Sequence, residues 1–307
     1  MKSVPPRILI IVRVGRRSIH RSWTWTTNGL ADLALSTYDE MDCSGDGAQY
    51  VHHCPGGKFQ GILDFLRGQP GIIDSYDYFW LFEDDLVLPF SSLRKIVNIL
   101  TYCPFNLSAP SLSTESFFSW PMMMSNESFV FRCTNVVEIM APIMSKSFLQ
   151  QAMIAFGDNF SGWGHEWLWS KLLAENGRFA AIFDVGPITH TRPSERGSLY
   201  SNCGKAWNPQ RDIEQMQEKY KLDRETRFQN FFGVTVDAPH RLALGDEFLK
   251  LALSGYSQMQ ALKNDSFIRC IQNLVHVSLP TIAEVELKQH AGFRIVQDAL
   301  EKAKVLP

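Results

Sequence analysis

The sequence predicts an α/β fold, with a Rossmann-like, mostly parallel central sheet followed by a helical C-terminal region. Three observations carry this reading. Two near-continuous apolar runs, ILIIVRV (residues 8–14) and YFWLFEDDLVL (78–88), have the texture of strands buried on both faces of a parallel sheet. Between them, Phe59, Ile62, Leu63 and Leu66 recur at helical spacing behind a Pro-Gly-Gly turn, which gives a βαβ alternation. The second run is broken near its end by Glu83, Asp84 and Asp85, as expected of a strand that surfaces at the sheet edge.

That interruption is the strongest functional signal in the chain. In open α/β sheets ligands bind outside the carboxyl ends of the strands, and clustered carboxylates there favour a hard divalent cation, magnesium or manganese. A strand end with solvated acids is the plain alternative.

Taken in order, the first strand runs into Gly15 and then Arg16, Arg17, Ser18, His20 and Arg21, a loop of local positive charge. Gly15 permits close backbone approach, and Arg13, Ser18 and His20 join it as candidates for the nucleotide side of a site. A solvated basic loop is the alternative. Residues 31–38 form a second strand ending at Asp39, Glu40 and Asp42, and an acid such as Asp39 there takes a ribose hydroxyl or faces water. Lys58, in the first turn of the helix over residues 58–67, reaches an anionic ligand or is solvated.

After the acids, Pro89 and the serines that follow start a helix with Leu93, Ile96, Val97 and Leu100 as its buried stripe. Residues 107–112 are expected as a short strand that Pro110 confines to an edge. Residues 113–126, rich in Ser, Met, Phe and Trp, read as a long loop over the site. NVVEIMAPIM (135–144) is a strand whose one acid, Glu138, either pairs with a buried base or points into the cleft, and a capped helix follows from Ser145.

In FSGWGHEWLW (160–169), Gly162 and Gly164 allow a sharp loop and Trp163 is a sugar platform or a core plug. His165 and Glu166 open a helix, with Glu166 placed to orient or deprotonate an acceptor hydroxyl. A further strand over 179–185 leads to His190, which by itself reads as structural or as a third metal ligand.

Past Asn208 the texture turns helical, with helices expected over 213–220, 246–263, 266–277 and 281–305, the last opened by a Thr281-x-x-Glu284 capping box. This divides the chain at about residue 205 into an α/β unit that carries the candidate site (1–205) and a helical region (206–307) for packing, membrane-surface contact or self-association.

Composition bounds the classes. A net charge of -2 with 20% charged and 45% hydrophobic residues argues against disorder and gives no bulk reason to expect nucleic acid. Six cysteines without CxxC spacing indicate neither a zinc site nor a disulfide framework and are expected as reduced thiols. With no signal-peptide core and no run of transmembrane length, the expected location is the cytoplasm, with peripheral contact at the inner face of a membrane. The sequons at Asn106, Asn126, Asn159 and Asn264 are then chance.

In order along the chain, RVGRRSIHRSW, YDYFWLFEDDLVL, VVEIMAPIMSKSF, GWGHEW and FDVGPITHTRP resemble GT-A-fold glycosyltransferases, most nearly a plant and bacterial family catalogued as a domain of unknown function. The resemblance covers about residues 7–195. It implies a metal-dependent transfer of sugar from a nucleotide-sugar donor to a hydroxyl of a glycan or glycolipid. Glu83 and Asp85 take the places of a DxD-type metal motif, with glutamate departing from the stricter form, and Asp84 sits between them on the nucleotide side. His190 completes the metal site, and Glu166 is the base, which slightly favours inversion. Glu138, Trp163, Gly164 and His165 fall on the acceptor side. Two rival readings are a catalytically silent GT-A-like carbohydrate-binding or scaffolding protein and, less favoured, a sugar nucleotidyltransferase.

Overall fold

The computed structural model describes residues 4–22, 28–193, 208–223, 226, 228–238, 241–257 and 284–302. The fold is a single large mixed sheet with helices packed on it. Strands β1 (Ile8–Val14), β2 (Asp32–Thr37), β3 (Tyr50–His53) and β4 (Tyr78–Glu83) form an all-parallel half in the order β3-β2-β1-β4. Every residue of β1 is buried, which is why its sequence reads as an unbroken apolar run with one arginine.

Helix α1 (Lys58–Gly68) crosses from β3 towards β4 and buries Phe59, Ile62, Leu63 and Leu66, the stripe its periodicity predicts. β5 (Leu86–Val87) leaves the acid turn after β4, and α2 (Phe90–Tyr102) follows with Leu93, Ile96, Val97 and Leu100 buried.

Beyond β4 the sheet continues through β6 (Leu107–Leu112), β7 (Phe129–Thr134), β8 (Ile143–Ser145) and β9 (Ala180–His190) in the order β4-β8-β6-β9-β7. β6 and β9 are parallel, whereas β8 and β7 join antiparallel. Pro110 therefore lies inside the sheet rather than on the edge strand expected for it. It is accommodated because pairing with β8 stops at Ser108, and the ladder with β9 shifts register between Pro110 and Leu112. The strand expected over 135–144 is reduced to β8, because the carbonyls of Ile139 and Met140 are taken by the Lys58 ammonium instead of a neighbouring strand.

Helix α3 (Lys146–Ala152) starts where Ser145 accepts a hydrogen bond from the Phe148 N–H, and α4 (His165–Glu175) starts from Gly164. Gly164 has φ of 99°, and a Cβ there would stand 2.9 Å from Met216. Only glycine fits that entry to the helix.

The C-terminal third supplies the helices expected over 213–220 and 246–263 as α5 (Pro209–Tyr220) and α6 (Gly245–Ser257). The single helix expected over 281–305 is instead two, α7 (Glu284–Gln289) and α8 (Ala291–Lys302), broken at His290, whose ring stacks on Phe179; Thr281 lies outside the described residues. The helix expected over 266–277 lies outside the described residues. This third also adds β10 (Asn230–Thr235) and β11 (Leu242–Ala243), which extend the sheet from β7 in the order β7-β10-β11. One hydrophobic core accordingly runs from Ile8 to Leu300.

A buried ion pair ties this region down. Arg132 on β7 donates through Nε and Nη2 to both carboxylate oxygens of Asp184 on β9, at 2.8 and 2.9 Å. Its Nη1 donates to Tyr256 Oη of α6 at 2.6 Å and to the Met122 carbonyl, and its Nη2 also reaches the Met124 carbonyl. Arg132→Leu is expected to lower unfolding stability by about 3–5 kcal/mol, because Asp184 is left buried and unpaired. The double variant Arg132→Leu/Asp184→Leu should recover most of that loss in urea midpoint; an equally low midpoint would remove the ion pair as the cause.

No helix among the described residues is long and apolar enough to cross a membrane. Cys43, Cys54, Cys103 and Cys133 are free thiols, and Cys203 and Cys270 lie outside the described residues. Asn126 and Asn159 are buried, so those two sequons are closed to a glycan.

Candidate metal centre and active site

The three acids sit where the sequence places them, at the carboxyl end of a central strand. β4 ends at Glu83, Asp84 and Asp85 form the turn, and β5 pairs back on β9 with Leu86 opposite His190. The pairing carries His190 to the acids from more than a hundred residues away. Glu83, Asp85 and His190 bring one ligand atom each within 4.8 Å of one another.

His190 Nε2 is 3.5 Å from Asp85 Oδ2, while its Nδ1 is 2.9 Å from the Phe117 carbonyl. A carbonyl only accepts, so Nδ1 carries the proton and Nε2 faces the acids, as in histidines that bind a metal through one nitrogen and are oriented through the other. Burial by itself would lower the imidazole, but the hydrogen bond and charge of Asp85 outweigh it and push it up to about 9. Asp85 Oδ1 is buried with no hydrogen-bond partner. An orphaned carboxylate oxygen beside a second carboxylate and an oriented imidazole fits a divalent cation such as manganese or magnesium.

Asp84 faces elsewhere. Its Oδ2 accepts from Tyr38 Oη at 3.0 Å and from the Gly15 N–H at 3.2 Å, and Arg192 Nη1 stands 3.6 Å from its Oδ1. Burial and the charge of Asp85 push it up to about 7 against these partners. A Cβ on Gly15 would lie 2.3 Å from the Tyr38 ring, so glycine is required for the Tyr38 hydroxyl to reach Asp84. The turn that bears the acids is further held by Ile19 N–H on the Asp84 carbonyl at 2.9 Å and by Ser18 Oγ at 3.4 Å.

Several other candidates are engaged in holding the fold. Arg13 is buried and spans strands: its Nη1 donates to Ser36 Oγ at 2.8 Å, and its Nη2 donates to the carbonyls of Cys54 and Gly56 at 2.8 and 2.9 Å. Lys58 is not solvated. Its Nζ reaches the Ile139 and Met140 carbonyls at 2.5 and 2.8 Å and Glu83 Oε1 at 3.4 Å, which links α1 to the acid turn. Burial pulls the ammonium down, with Glu83 opposing, and burial raises Glu83, with Lys58 opposing.

His165, expected on the acceptor side, lies in the core. Its ring stacks on Phe59 at 4.4 Å, its Nδ1 and Nε2 lie 2.8 and 3.2 Å from the Gly162 and Ala155 carbonyls, and burial lowers it to about 4. His20 turns away from the acids towards Asp46. Asp39 accepts from the Arg16 N–H at 3.0 Å, and its Oδ1 is buried without a partner. Trp163 is half-buried against the core.

Glu138 and Glu166 do come together. Both line a small cavity walled by Trp120, Met122, Met123, Val136 and Phe228. Burial first, then the charge of Glu166, push Glu138 up to about 8; burial pushes Glu166 up to about 7 against backbone N–H donors, one of them Gly164 at 3.2 Å. Glu138 Oε2 is buried with no partner, and the charges of Glu83 and His190 act on it, so the cavity adjoins the Glu83, Asp85 and His190 group.

Because the folded state favours the protonated form of Glu138, its contribution is fully present below its ordinary value of 4.5 and is lost as pH rises towards about 8. Stability of the metal-free protein should therefore fall with pH across that window, by up to about 1.4 kcal/mol per pH unit for each such proton. Glu138→Gln should flatten the slope in urea midpoints taken at a series of pH values; an unchanged slope would assign the effect to another group.

Two participants are not among the sequence candidates. Arg192 stands 3.6 Å from Asp84 Oδ1 and 4.0 Å from Asp85 Oδ2, with its Nη1 buried and without a hydrogen bond and its Nη2 on the Arg17 carbonyl. Its position two residues after His190 was the available signal. Tyr38 carried none, since its role depends on the β1–β2 register.

No family profile and no curated protein matches this chain. Among solved structures it is similar to GalNAc-T7, in a crystal structure with UDP, GalNAc and Mn2+. The two share 7% identity with a TM-score of 0.46, over 71% of this chain and 56% of that one. The chain thus spans little more than half the length of that structure.

Proposed function

We propose that the protein is a metal-dependent glycosyltransferase that moves a sugar from a nucleotide-sugar donor to a hydroxyl of a glycan or glycolipid. The observation that carries this is the adjacency, at one sheet edge, of the Glu83, Asp85 and His190 group to a cavity lined by Glu138, Glu166 and aromatic side chains. The motif resemblance along residues 7–195 supports the same reading.

Glu83, Asp85 and His190 would hold manganese or magnesium, which when bound supplies positive charge for a diphosphate leaving group. Arg192, whose Nη1 makes no hydrogen bond, donates to phosphate oxygens as charge develops on them. Asp39, with its own orphaned oxygen, accepts from a ribose hydroxyl. Glu166, pushed up to about 7, is poised to take the proton of an acceptor hydroxyl near neutral pH. Trp120 and Phe228 give that acceptor an apolar wall and keep water off it.

The reading is tested by thermal shift against UDP, GDP and CMP with and without manganese. A donor-type nucleotide should raise Tm by several degrees only with the metal, as expected from about 2.7 kcal/mol at roughly a hundredfold excess over Kd. If no nucleotide stabilises the protein, or one does so equally without metal, the proposal fails.

A further inference from the structure

A second group of ligand atoms lies outside the site just described. His20, Cys43 and Asp46 each bring one atom within 4.8 Å of the others, with His20 and Cys43 buried and Asp46 half-buried. The residues come from two separate segments, the basic loop after β1 and the turn that follows β2, so no spacing in the sequence announces them.

His20 Nε2 is 2.9 Å from Asp46 Oδ2, and its Nδ1 is 2.7 Å from Ser18 Oγ. The imidazole is therefore oriented through one nitrogen while the other faces the carboxylate and the thiol. Arg21 Nε lies 3.0 and 3.1 Å from the two Asp46 oxygens, and its Nη2 donates to the Asp42 carbonyl. The carboxylate is thus held in place by a neighbour that is itself anchored. Oriented imidazole, fixed carboxylate and buried thiol have the first and outer shells of a thiophilic metal site.

We propose that His20 Nε2, Cys43 Sγ and one Asp46 oxygen bind a zinc-class cation. The donor set separates this site from the acid edge: sulfur and imidazole nitrogen select zinc, whereas Glu83, Asp85 and His190 are rich in hard oxygen. On binding, the thiol proton and any proton on Nε2 leave to solvent, and the carboxylate stays ionised. The cation would cross-link the loop at residues 15–22 to the turn at residues 43–46. That loop supplies the Gly15 and Ile19 N–H groups that hold Asp84, so the cross-link would brace the wall of the acid turn. Arg21 competes for the same carboxylate only in the absence of metal; with metal bound, it donates to the oxygen that the cation does not use.

The test is cobalt(II) added to the chelator-treated full chain and followed by absorption. The wild type should show a thiolate-to-cobalt charge-transfer band that saturates at one equivalent and disappears when zinc is added. Cys43→Ser should lose the band and Asp85→Asn should keep it. Should Cys43→Ser lose its native circular dichroism, His20→Gln carries the same comparison with the thiol intact, through weakened binding and a shifted band. No thiolate band in the wild type, or a band unchanged in the folded Cys43→Ser or His20→Gln protein, overturns the site. Because Asp85→Asn keeps the band, failure here and failure of the glycosyltransferase reading are told apart.

Discussion

Asp85→Asn is expected to abolish manganese-dependent nucleotide binding, with metal affinity down by about 100-fold or more, beyond the loss seen for supporting residues around a metal. Asp85 is the centre of the group: its Oδ2 faces His190 Nε2 at 3.5 Å and Arg192 Nη1 at 4.0 Å, and its Oδ1 has no partner of its own. Asparagine keeps the volume but removes the charge and one oxygen, so the fold should survive while the cation is lost. Isothermal titration with manganese in the presence of the stabilising nucleotide reads the effect directly. Affinity within threefold of the wild type would mean that the acid turn is not the metal centre, a bound set well inside the roughly 10–100-fold loss expected for even a supporting residue.

Glu166→Gln is expected to lower kcat by about 10²–10⁴-fold while KM for the donor changes little, the signature of a lost proton acceptor rather than a lost contact. Glutamine can still accept from the Gly164 N–H, so the local turn is preserved. The alkaline-rising limb of the pH profile, expected near the Glu166 value of about 7, should vanish with it. A variant with wild-type kcat and the same limb would move the base elsewhere, with Glu138 the next carboxylate in the cavity.

Much of the parallel half of the fold was legible because burial on both faces writes itself into sequence. β1, β4 and the apolar stripe of α1 follow from composition and period alone. The second half was harder. β7, FVFRCT, hides a buried arginine whose partner Asp184 is some fifty residues away, and β10 sits inside a stretch whose flanks read as helical. Likewise the run at 135–144 has strand texture, but a lysine from α1 takes its carbonyls.

The site divided in the same way. Glu83, Asp85 and Glu166 announce themselves as charges in apolar surroundings, whose cost demands a reason. His190 needed the β5–β9 pairing to come beside Asp85. Arg13, Lys58 and His165 were polar residues in equally conspicuous positions, yet each is consumed by backbone carbonyls. Residue type alone does not separate a buried donor that holds the chain from one that waits for a ligand; the count of its partners does.

The Arg132 ion pair has a consequence for dissecting the chain. The same guanidinium that binds Asp184 and Tyr256 also fixes the carbonyls of Met122 and Met124, and Met122 and Met123 form part of the cavity wall beside Glu138 and Glu166. A deletion that begins at Gly245 would remove Tyr256 from behind that wall, although every acid and histidine of the site is retained. Such a trimmed chain would be a poor stand-in for the whole: under the proposed function it would keep the acids and histidine of the cation site while the acceptor wall loosened, so the C-terminal helices belong with the site they brace.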